Sequence, residues 1–339
     1  MKTTIKFILL LALALCALAL GVAIGSVGIE PADLFAVLGH KAFGLALPEE
    51  IPPVTVSILW TIRFPRAVMA FLVGAALAAS GTVMQSVLRN PLASSYTLGV
   101  SSGASLFAAV IIVSGFTLPL IGRYTLPLFG FLGGLGTVFL AMALAMRFDR
   151  NLENQTIILV GMVLSLFVNA LLTLVTALAD DHLSRLVYWQ MGSFSGQSWG
   201  NCGLVLSILI IYILALLRYS REMDLMTFGE EQALSAGVDL QKVKFILIAL
   251  SALMTGTAVS LAGVIGFVDL IAPHIVRRFF GSKHKLVVPA SALFGGAFMV
   301  LADMFGRTIL APEELPVGAV TALIGAPFFA YIYFRRRRA

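Results

Sequence analysis

The sequence has few charged side chains, and it lacks several signatures of soluble chemistry. Only 12% of its 339 residues are Asp, Glu, Lys or Arg. It contains no Gly-Lys pair and so no GxxxxGK[ST] phosphate-binding loop, which means that any nucleotide energy must come from another chain. Its two cysteines, Cys16 and Cys202, lie in apolar runs, which excludes a disulfide framework and predicts free thiols packed in helices. Its four histidines lack metal-ligand spacing, so the sequence predicts no catalytic residue, no metal site and no cofactor held by this chain.

Hydrophobic residues make up 59% of the chain, with 24 Phe and 31 Gly, which is typical of a polytopic membrane protein. At ~20 residues for each spanning helix, this length allows about ten spans. No segment is long or polar enough to form a separate soluble domain, so residues 1–339 are predicted to be one all-α transmembrane domain. The predicted spans are Phe7–Val27, Ala67–Leu88, Tyr96–Val113, Leu126–Met146, Ile157–Leu178, Cys202–Leu217, Phe245–Val264, Phe267–Phe280, Leu286–Phe305 and Pro316–Phe334.

The N-terminal run has two possible interpretations. Lys2 and Lys6 precede an apolar stretch, as in a secretory signal peptide, and Leu13–Cys16 resembles a lipoprotein cleavage site. However, Leu15 is bulky where such a site needs a small residue, and the apolar run is longer than a signal peptide requires. We therefore expect a retained first span.

The distribution of basic residues predicts the orientation. With ten spans and both termini inside, the inner segments hold 17 of the 23 Lys and Arg residues, as the positive-inside rule demands. The run Arg335–Arg338 follows the last span and is predicted to anchor that topology. The net charge of +6 has the same origin and does not indicate a nucleic-acid partner.

Residues 218–244 are the one long polar interruption of the chain, and we call them the polar segment. Within it, Met226–Val238 is predicted to form a short helix, because Glu230 and Glu231 fall in a first turn, where the helix dipole favours anions. Gly237 stands where a C-terminal glycine would end that helix. The residues alone leave open whether this is a docking helix or a solvated loop.

Five charged residues lie at or within the predicted span ends. Arg63, Arg66 and Arg307 form either a basic rim that receives acidic residues of an outer partner or helix-end anchors in the lipid headgroups. Pro65 predicts that the second helix begins between Arg63 and Arg66. Asp269 and Asp303 are the acids within spans, where a charge costs at least ~2.5 kcal/mol. Asp303 and Arg307, four residues apart, are predicted to form an ion pair, whereas Asp269 has no such helical partner; proton coupling is the alternative for either acid.

Between the second and third predicted spans, Asn90-Pro91-Leu92-Ala93 breaks the chain. Proline ends a helix because it lacks a backbone donor, and the exposed backbone at this depth is tolerated only beside protein or water.

Taken in order, these motifs resemble one family. The motifs are Arg63-Phe-Pro-Arg66, Gly74–Ala78, Ser80-Gly81 with Gln85, Asn90–Ala93, Leu98–Ser101, Tyr188-Trp189 with Gly192-Ser193, Gly263–Val268, Pro273-His274 with Arg277, Asp303 with Arg307, Glu314–Gly318 and Gly325–Phe329. This series is similar to the permease subunit of ABC importers for iron–siderophore chelates, haem and vitamin B12, the FecCD family. The resemblance covers nearly the whole chain from Arg63 onward.

The resemblance implies a type II ABC importer permease fold of ten spans in a bacterial inner membrane, with both termini cytoplasmic. It implies as partners a second permease copy, two cytoplasmic ATPase subunits that bind ATP and Mg, and a periplasmic or lipid-anchored binding protein. The cargo would pass between the two permeases along a pore lined by the fifth span.

The resemblance also implies roles for particular residues. Arg63, Arg66 and Arg307 would meet acidic residues of the binding protein, and Asn90 and Leu92 would form the cytoplasmic gate. The coupling helix that docks into the ATPase would carry Leu225, Gly229, Glu230, Ala233 and Gly237.

Asp269 departs from the family pattern, which has glycine at this position. Two other classes remain as alternatives: an ion-coupled secondary transporter that uses Asp269 or Asp303, and a membrane-anchored receptor or assembly protein. The absence of a sizeable soluble domain disfavours the receptor. The sequence leaves the cargo open, and it does not decide between a homodimer and a paired permease.

Overall fold

A computed structural model describes residues 2–25, 29–149 and 151–336. Every regular element within these ranges is helical. The predicted inner charges Arg150, Arg337 and Arg338 and the end of the first predicted span at Val27 lie outside the described residues. The α-helices are α1 (Thr3–Ala23), α2 (Pro31–Phe43), α3 (Pro53–Ser57), α4 (Phe64–Val87), α5 (Val100–Ser114), α6 (Thr125–Phe148), α7 (Asn154–Ala177), α8 (Leu183–Met191), α9 (Trp199–Arg218), α10 (Ser220–Phe228), α11 (Glu230–Ser235), α12 (Leu240–Ala262), α13 (Val268–Phe280), α14 (His284–Gly306) and α15 (Val317–Arg336).

Seven helical stretches in the described part of the chain are long and apolar enough to cross a membrane. They are Thr3–Ala23, Pro53–Val87, Gly122–Phe148, Asn154–Ala177, Trp199–Arg218, Leu240–Ala262 and His284–Gly306. Two shorter apolar helices, Val100–Ser114 and Val317–Tyr331, match two further predicted spans. The predicted short span Phe267–Phe280 corresponds to α13, which has 13 residues. The polytopic helical class is therefore confirmed, while the number ten stays a prediction.

The core of the molecule is built around α4. Nearly every side chain of this helix is buried, and it packs against α9, α12, α13 and α14. Small residues make the close approach possible, because Gly74 and Gly295 bring the backbones of α4 and α14 into direct contact. Cys202 is buried, whereas Cys16 lies exposed on α1, so both thiols are free as predicted but only one is packed inside.

α4 begins at Phe64, between Arg63 and Arg66 as predicted, but it continues a longer helical stretch. The helix begins at Pro53 and passes through a π-helical stretch, Ile58–Arg63, into α4. Within this stretch the N–H of Phe64 donates to the carbonyl of Leu59, five residues back. The same spacing would pair residue 65 with Trp60, but Pro65 has no N–H to donate. The indole Nε1 of Trp199 donates to the Trp60 carbonyl instead, at 2.9 Å.

α2 lies in a range where no helix was predicted. Pro31 occupies its N-terminal turn, and Gly44 ends it in the left-handed conformation, at φ +69°. Leu34 and Val37, three residues apart, are buried in a small cluster with Leu59. Phe35 and Phe43 are exposed, so only one stripe of α2 contacts the rest of the chain.

The contact between α4 and α13 leads to a stability prediction. A Cβ on Gly81 would lie 1.9 Å from the carbonyl oxygen of Asp269, whereas a Cβ on Gly136 of α6 would meet nothing within 4 Å. We expect Gly81→Ala to lower the free energy of unfolding by about 1–3 kcal/mol, because the obstacle is backbone and cannot rotate away. Gly136→Ala is the matched control and is expected to be neutral. Thermal unfolding of the two variants in detergent measures the difference, and equal midpoints would contradict the prediction.

Candidate coupling segment, gate loop and arginine cluster

The polar segment contains two short helices where one was predicted. α10 ends at Phe228 and α11 begins at Glu230, so the predicted continuous helix Met226–Val238 is wrong. Gly229 separates them at φ +144°, a conformation that residues with a Cβ rarely adopt. The predicted first turn is confirmed, since Glu230 and Glu231 open α11.

The predicted glycine end of this helix is also confirmed. Gly237 has φ +82° and follows the last turn of α11. The N–H of Gly237 donates to the carbonyl of Leu234, and that of Val238 donates to the carbonyl of Ala233. These two bonds satisfy the last carbonyls of the helix in a Schellman motif.

A buried ion pair anchors α11 to the membrane helices. Lys244 of α12 is completely buried, and its Nζ donates to Glu230 Oε1 at 2.9 Å and to the carbonyl of Leu152 at 2.8 Å. The loop that presents Leu152 is ordered by Asp149, whose carboxylate accepts from the backbone N–H groups of Glu153 and Asn151. These two donors lower the pKa of Asp149 from its ordinary value.

The five residues predicted for ATPase coupling differ in exposure. Gly229 and Ala233 are buried, Leu225 and Glu230 are half-buried, and Gly237 is exposed. Three neighbouring residues are also exposed: Phe228, Glu231 and Leu234. Phe228 is 75% exposed and Leu234 is 57% exposed. We call these three residues the exposed face of the polar segment. Their spacing of three could not have identified them, because Gly229 breaks the helix between Phe228 and Glu231.

The chain between α4 and the 3₁₀ turn Ser95–Leu98 forms a tight loop, the 88–94 loop. α4 ends at Val87, shortly before Pro91, as predicted. The side chain of Asn90 accepts from the N–H of Leu92 at 2.9 Å, and the Asn90 carbonyl accepts from the N–H of Ala93 at 3.0 Å. Asn90 thus shapes the turn, while the side chain of Leu92 is 46% exposed at its tip.

The opposite end of α4 carries the arginine cluster, defined as Arg63, Arg66 and Arg307. All three are buried, at 5%, 9% and 7% exposure. Arg66 is held by two carboxylates, with Asp303 and Glu314 each 2.9 Å from one of its nitrogens. The predicted pair of Asp303 and Arg307 is confirmed at 3.6 Å, and Arg66 is the closer partner of Asp303.

The other two arginines cap the C-terminal end of α1. Arg63 donates to the carbonyls of Val22 and Ala23, at 3.2 and 2.9 Å, and Arg307 donates to the carbonyl of Gly21. These carbonyls belong to the last turn of α1, where no intrahelical donor remains. The cluster therefore joins α1, α4 and α14. The role of the arginine cluster in docking a binding protein stays a prediction.

Asp269 lies in the first turn of α13 and is 3% exposed. It has no ionic partner among the described residues of its own helix, as predicted, but its carboxylate accepts a hydrogen bond from the hydroxyl of Ser94. The helix N-terminus also favours an anion at this position.

Comparison with known proteins shows the family of this chain. The model of the FecCD transport family matches residues 10–335. The chain belongs to the FecCD transport family. It is 41% identical over 319 residues to the uncharacterized ABC transporter permease YvrB of Bacillus subtilis, which covers 94% of this chain and 90% of YvrB.

Two further relatives have named cargoes. The hemin transport system permease HmuU of Yersinia pestis is 39% identical, over 82% of this chain and 84% of HmuU. The vitamin B12 import system permease BtuC of Escherichia coli O9:H4 is 36% identical, over 99% of this chain and 97% of BtuC. A solved structure described as a metal-chelate type ABC transporter in an inward-facing conformation superposes with a TM-score of 0.82 at 29% identity, covering 98% of this chain and 100% of that one. This FecCD-family chain is thus an ABC transporter permease and a multi-pass membrane protein.

Proposed function

We propose that this permease is the membrane-spanning subunit of an importer that moves an iron chelate, haem or a cobalamin-like cargo into the cell. A partner ATPase drives it by alternating access. The observation that carries the proposal is the polar segment, which joins two membrane-length helices, α9 and α12, and leaves the large apolar side chains of Phe228 and Leu234 exposed. The family and the relatives named for hemin and vitamin B12 support the class of cargo.

The topology that we propose has ten spans, which adds α5, α13 and α15 to the seven long stretches. Both termini and the polar segment then lie in the cytoplasm of a bacterial cell, and the arginine cluster lies at the periplasmic face. The excess of Lys and Arg on the inner segments supports this orientation. The 88–94 loop lies at the cytoplasmic end with Asn90 and Leu92 as its gate.

We propose that a second copy of the chain packs against α7. This helix exposes large apolar side chains along its length, among them Leu159, Val163, Leu166 and Phe167. A groove of about 950 Å³ runs beside them, between α6 and α7. The lining is mostly apolar, with Glu153 as its one acidic member among the lining residues, and such a lining suits a pathway that must release a bulky cargo.

At the periplasmic face, the proposed binding protein meets Arg63, Arg66 and Arg307. Glu314 is the accessible partner of Arg66, since its side chain is 46% exposed, whereas that of Asp303 is 1% exposed. An incoming carboxylate therefore competes with Glu314 and leaves Asp303 in place.

The contacts of the two membrane acids argue against an ion-coupled secondary transporter. Asp303 is paired with Arg66 and Arg307, and Asp269 is bonded to Ser94. A proton-coupling acid needs access to a water-filled cavity, and both carboxylates are at most 3% exposed.

The test is association with an ABC-class ATPase. Leu234→Arg, on the exposed face, is expected to lower the amount of co-purified ATPase at least tenfold, because an unpaired charge enters a packed apolar contact. Leu310→Arg is the matched control, because Leu310 is 54% exposed and follows the C-terminal end of α14. This variant is expected to leave association with the ATPase unchanged. The ATPase is identified by its Walker A peptide in mass spectrometry and by Mg-ATP hydrolysis. Equal association of both variants would contradict the docking face, and no ATPase with the wild type would overturn the importer assignment.

A further inference from the structure

A chain of buried polar side chains starts at the polar segment. Asp224 of α10 accepts two bonds from His284, the first residue of α14: from its backbone N–H at 2.8 Å and from Nδ1 at 2.6 Å. A carboxylate can only accept, so Nδ1 carries a proton in either charge state of the imidazole. The other ring nitrogen, Nε2, lies 2.5 Å from the hydroxyl of Ser86 near the end of α4. His284 is completely buried and thus connects α10 to α4.

From Ser86 the chain continues into α13. The Arg277 guanidinium donates through Nη2 to Ser86 Oγ at 3.1 Å and through Nη1 to Gln85 Oε1 at 2.5 Å. The amide Nε2 of Gln85 donates in turn to the carbonyls of Asp269 and Leu270, both at 3.3 Å. Gln85 therefore connects Arg277 in the last turn of α13 to the first turn of the same helix.

A proline explains why the Asp269 carbonyl is available. In an α-helix this carbonyl would accept from the N–H of residue 273, but that residue is Pro273, which has none. Gln85 supplies the missing donor. The absence of a side chain at Gly81 lets α4 approach this carbonyl closely enough for the bond to form.

The chain ends at the 88–94 loop. The Asp269 carboxylate accepts from the hydroxyl of Ser94, and Ser94 Oγ accepts from the N–H of Tyr96 at 3.1 Å. The next side chain, Ser95, is also buried, but its hydroxyl has no hydrogen-bond partner among the residues that the structure describes. Ser94 is thus the specific link between this loop and α13.

We infer that these side chains form a mechanical linkage in which Asp269 positions the 88–94 loop according to the position of α10. The inference rests on the proposed function, which makes α10 part of the ATPase contact and the loop part of the gate. Asp224 and Leu92 are partly exposed at the two ends, while His284, Ser86, Gln85, Ser94 and Asp269 between them are at most 5% exposed. The bonds of Asp224 and Arg277 are partly buried, and the His284–Ser86 and Ser94–Asp269 bonds are buried. Little water competes for these groups, so a displacement of α10 is transmitted to the next bonded group. Asp269 is a positioning residue in this linkage.

The test measures the accessibility of the 88–94 loop and requires no cargo. Leu92→Cys is introduced with Cys16→Ser and Cys202→Ser, which removes both native thiols. The rate of labelling by a membrane-impermeant maleimide is measured in the purified permease–ATPase complex, nucleotide-free and trapped with ATP and vanadate. We expect the two rates to differ at least about fivefold, which is the low end of coupling between distant sites.

Ser94→Ala and Asp269→Ala are expected to reduce this ratio to about one. Two control variants are expected to preserve the labelling ratio. Ser95→Ala makes the same change at the adjacent buried hydroxyl, and Asp269→Asn keeps an acceptor for Ser94. His284→Ala, at the other end of the linkage, is expected to behave like Ser94→Ala. A merely structural defect would lower yield and thermal midpoint without separating Ser94→Ala from Ser95→Ala.

The inference is overturned when the unsubstituted complex hydrolyses ATP and shows the labelling ratio, yet Ser94→Ala and Asp269→Ala retain that ratio. In that outcome the proposed function stands. When the unsubstituted permease binds no ATPase, the proposed function and the linkage fall together.

Discussion

Arg66→Ala is expected to lower the free energy of unfolding by about 3–5 kcal/mol, the usual cost of breaking a buried ion pair from one side. The substitution leaves Asp303, whose side chain is 1% exposed, with Arg307 at 3.6 Å as its remaining ionic partner. Arg66→Lys is expected to recover little, because one ammonium cannot reproduce the planar fork that contacts Asp303 and Glu314 together. Thermal unfolding of the purified permease in detergent measures these effects.

Two further variants make this prediction specific. Arg123→Ala removes an exposed arginine and is expected to change stability by less than about 0.5 kcal/mol. Asp303→Asn combined with Arg66→Ala is expected to be less stable than Arg66→Ala alone, since Asp303 is then lost as the ionic partner of the buried Arg307. If Arg66→Ala unfolds with the same midpoint as Arg123→Ala, the arginine cluster does not stabilise this end of the molecule.

Glu230→Ala is expected to release α11 from the membrane helices and to abolish association with the ATPase. Lys244 is completely buried, and without Glu230 its ammonium keeps the Leu152 carbonyl as its hydrogen-bond partner among the described residues. Removing one member of such a pair costs about 3–5 kcal/mol, which is enough to displace a helix of six residues. Limited proteolysis within the polar segment, together with co-purification of the ATPase, measures the release.

Glu231→Ala is the matched control, because Glu231 is the next residue of the same helix and is exposed. It is expected to leave the proteolysis pattern unchanged. Lys244→Met combined with Glu230→Ala is expected to restore part of the protection, since it removes the buried charge along with its partner. Equal proteolysis of Glu230→Ala and Glu231→Ala would show that the ion pair does not anchor α11.

Hydropathy was sufficient to predict the long helices, because a spanning helix is apolar along its whole length. The same measure could not find α2, whose apolar residues occupy one stripe of a 13-residue helix. Pro65 indicated the start of α4 correctly, but it did not reveal the helical stretch Pro53–Arg63 before it. A proline usually begins a helix because its missing N–H is harmless there, but here the Trp60 carbonyl that it leaves unpaired is satisfied by Trp199.

The residues of the candidate sites were predictable, but most of their partners were not. Asp303 and Arg307 are four residues apart, and their pairing followed from helical geometry. Arg66 contacts Asp303 from 237 residues away, and Lys244 contacts Leu152 from 92 residues away. No local period encodes such contacts, since they depend on how the helices pack. The break at Gly229 was missed because a glycine within a helical pattern does not reveal its backbone conformation.

The π-helical stretch Ile58–Arg63 holds one residue more than an α-helix of the same rise would. An insertion of this kind is absorbed locally, so the upstream part of the helix is out of phase with α4 by about 100°. Deleting one residue here would restore the regular phase without disturbing the packing of residues 64–87. It would also turn Trp60 away from the Trp199 ring, whose centroid now lies 4.8 Å away. The length of this stretch therefore determines which face residues 53–57 present, and relatives that differ by one residue here would present a different face on an unchanged core.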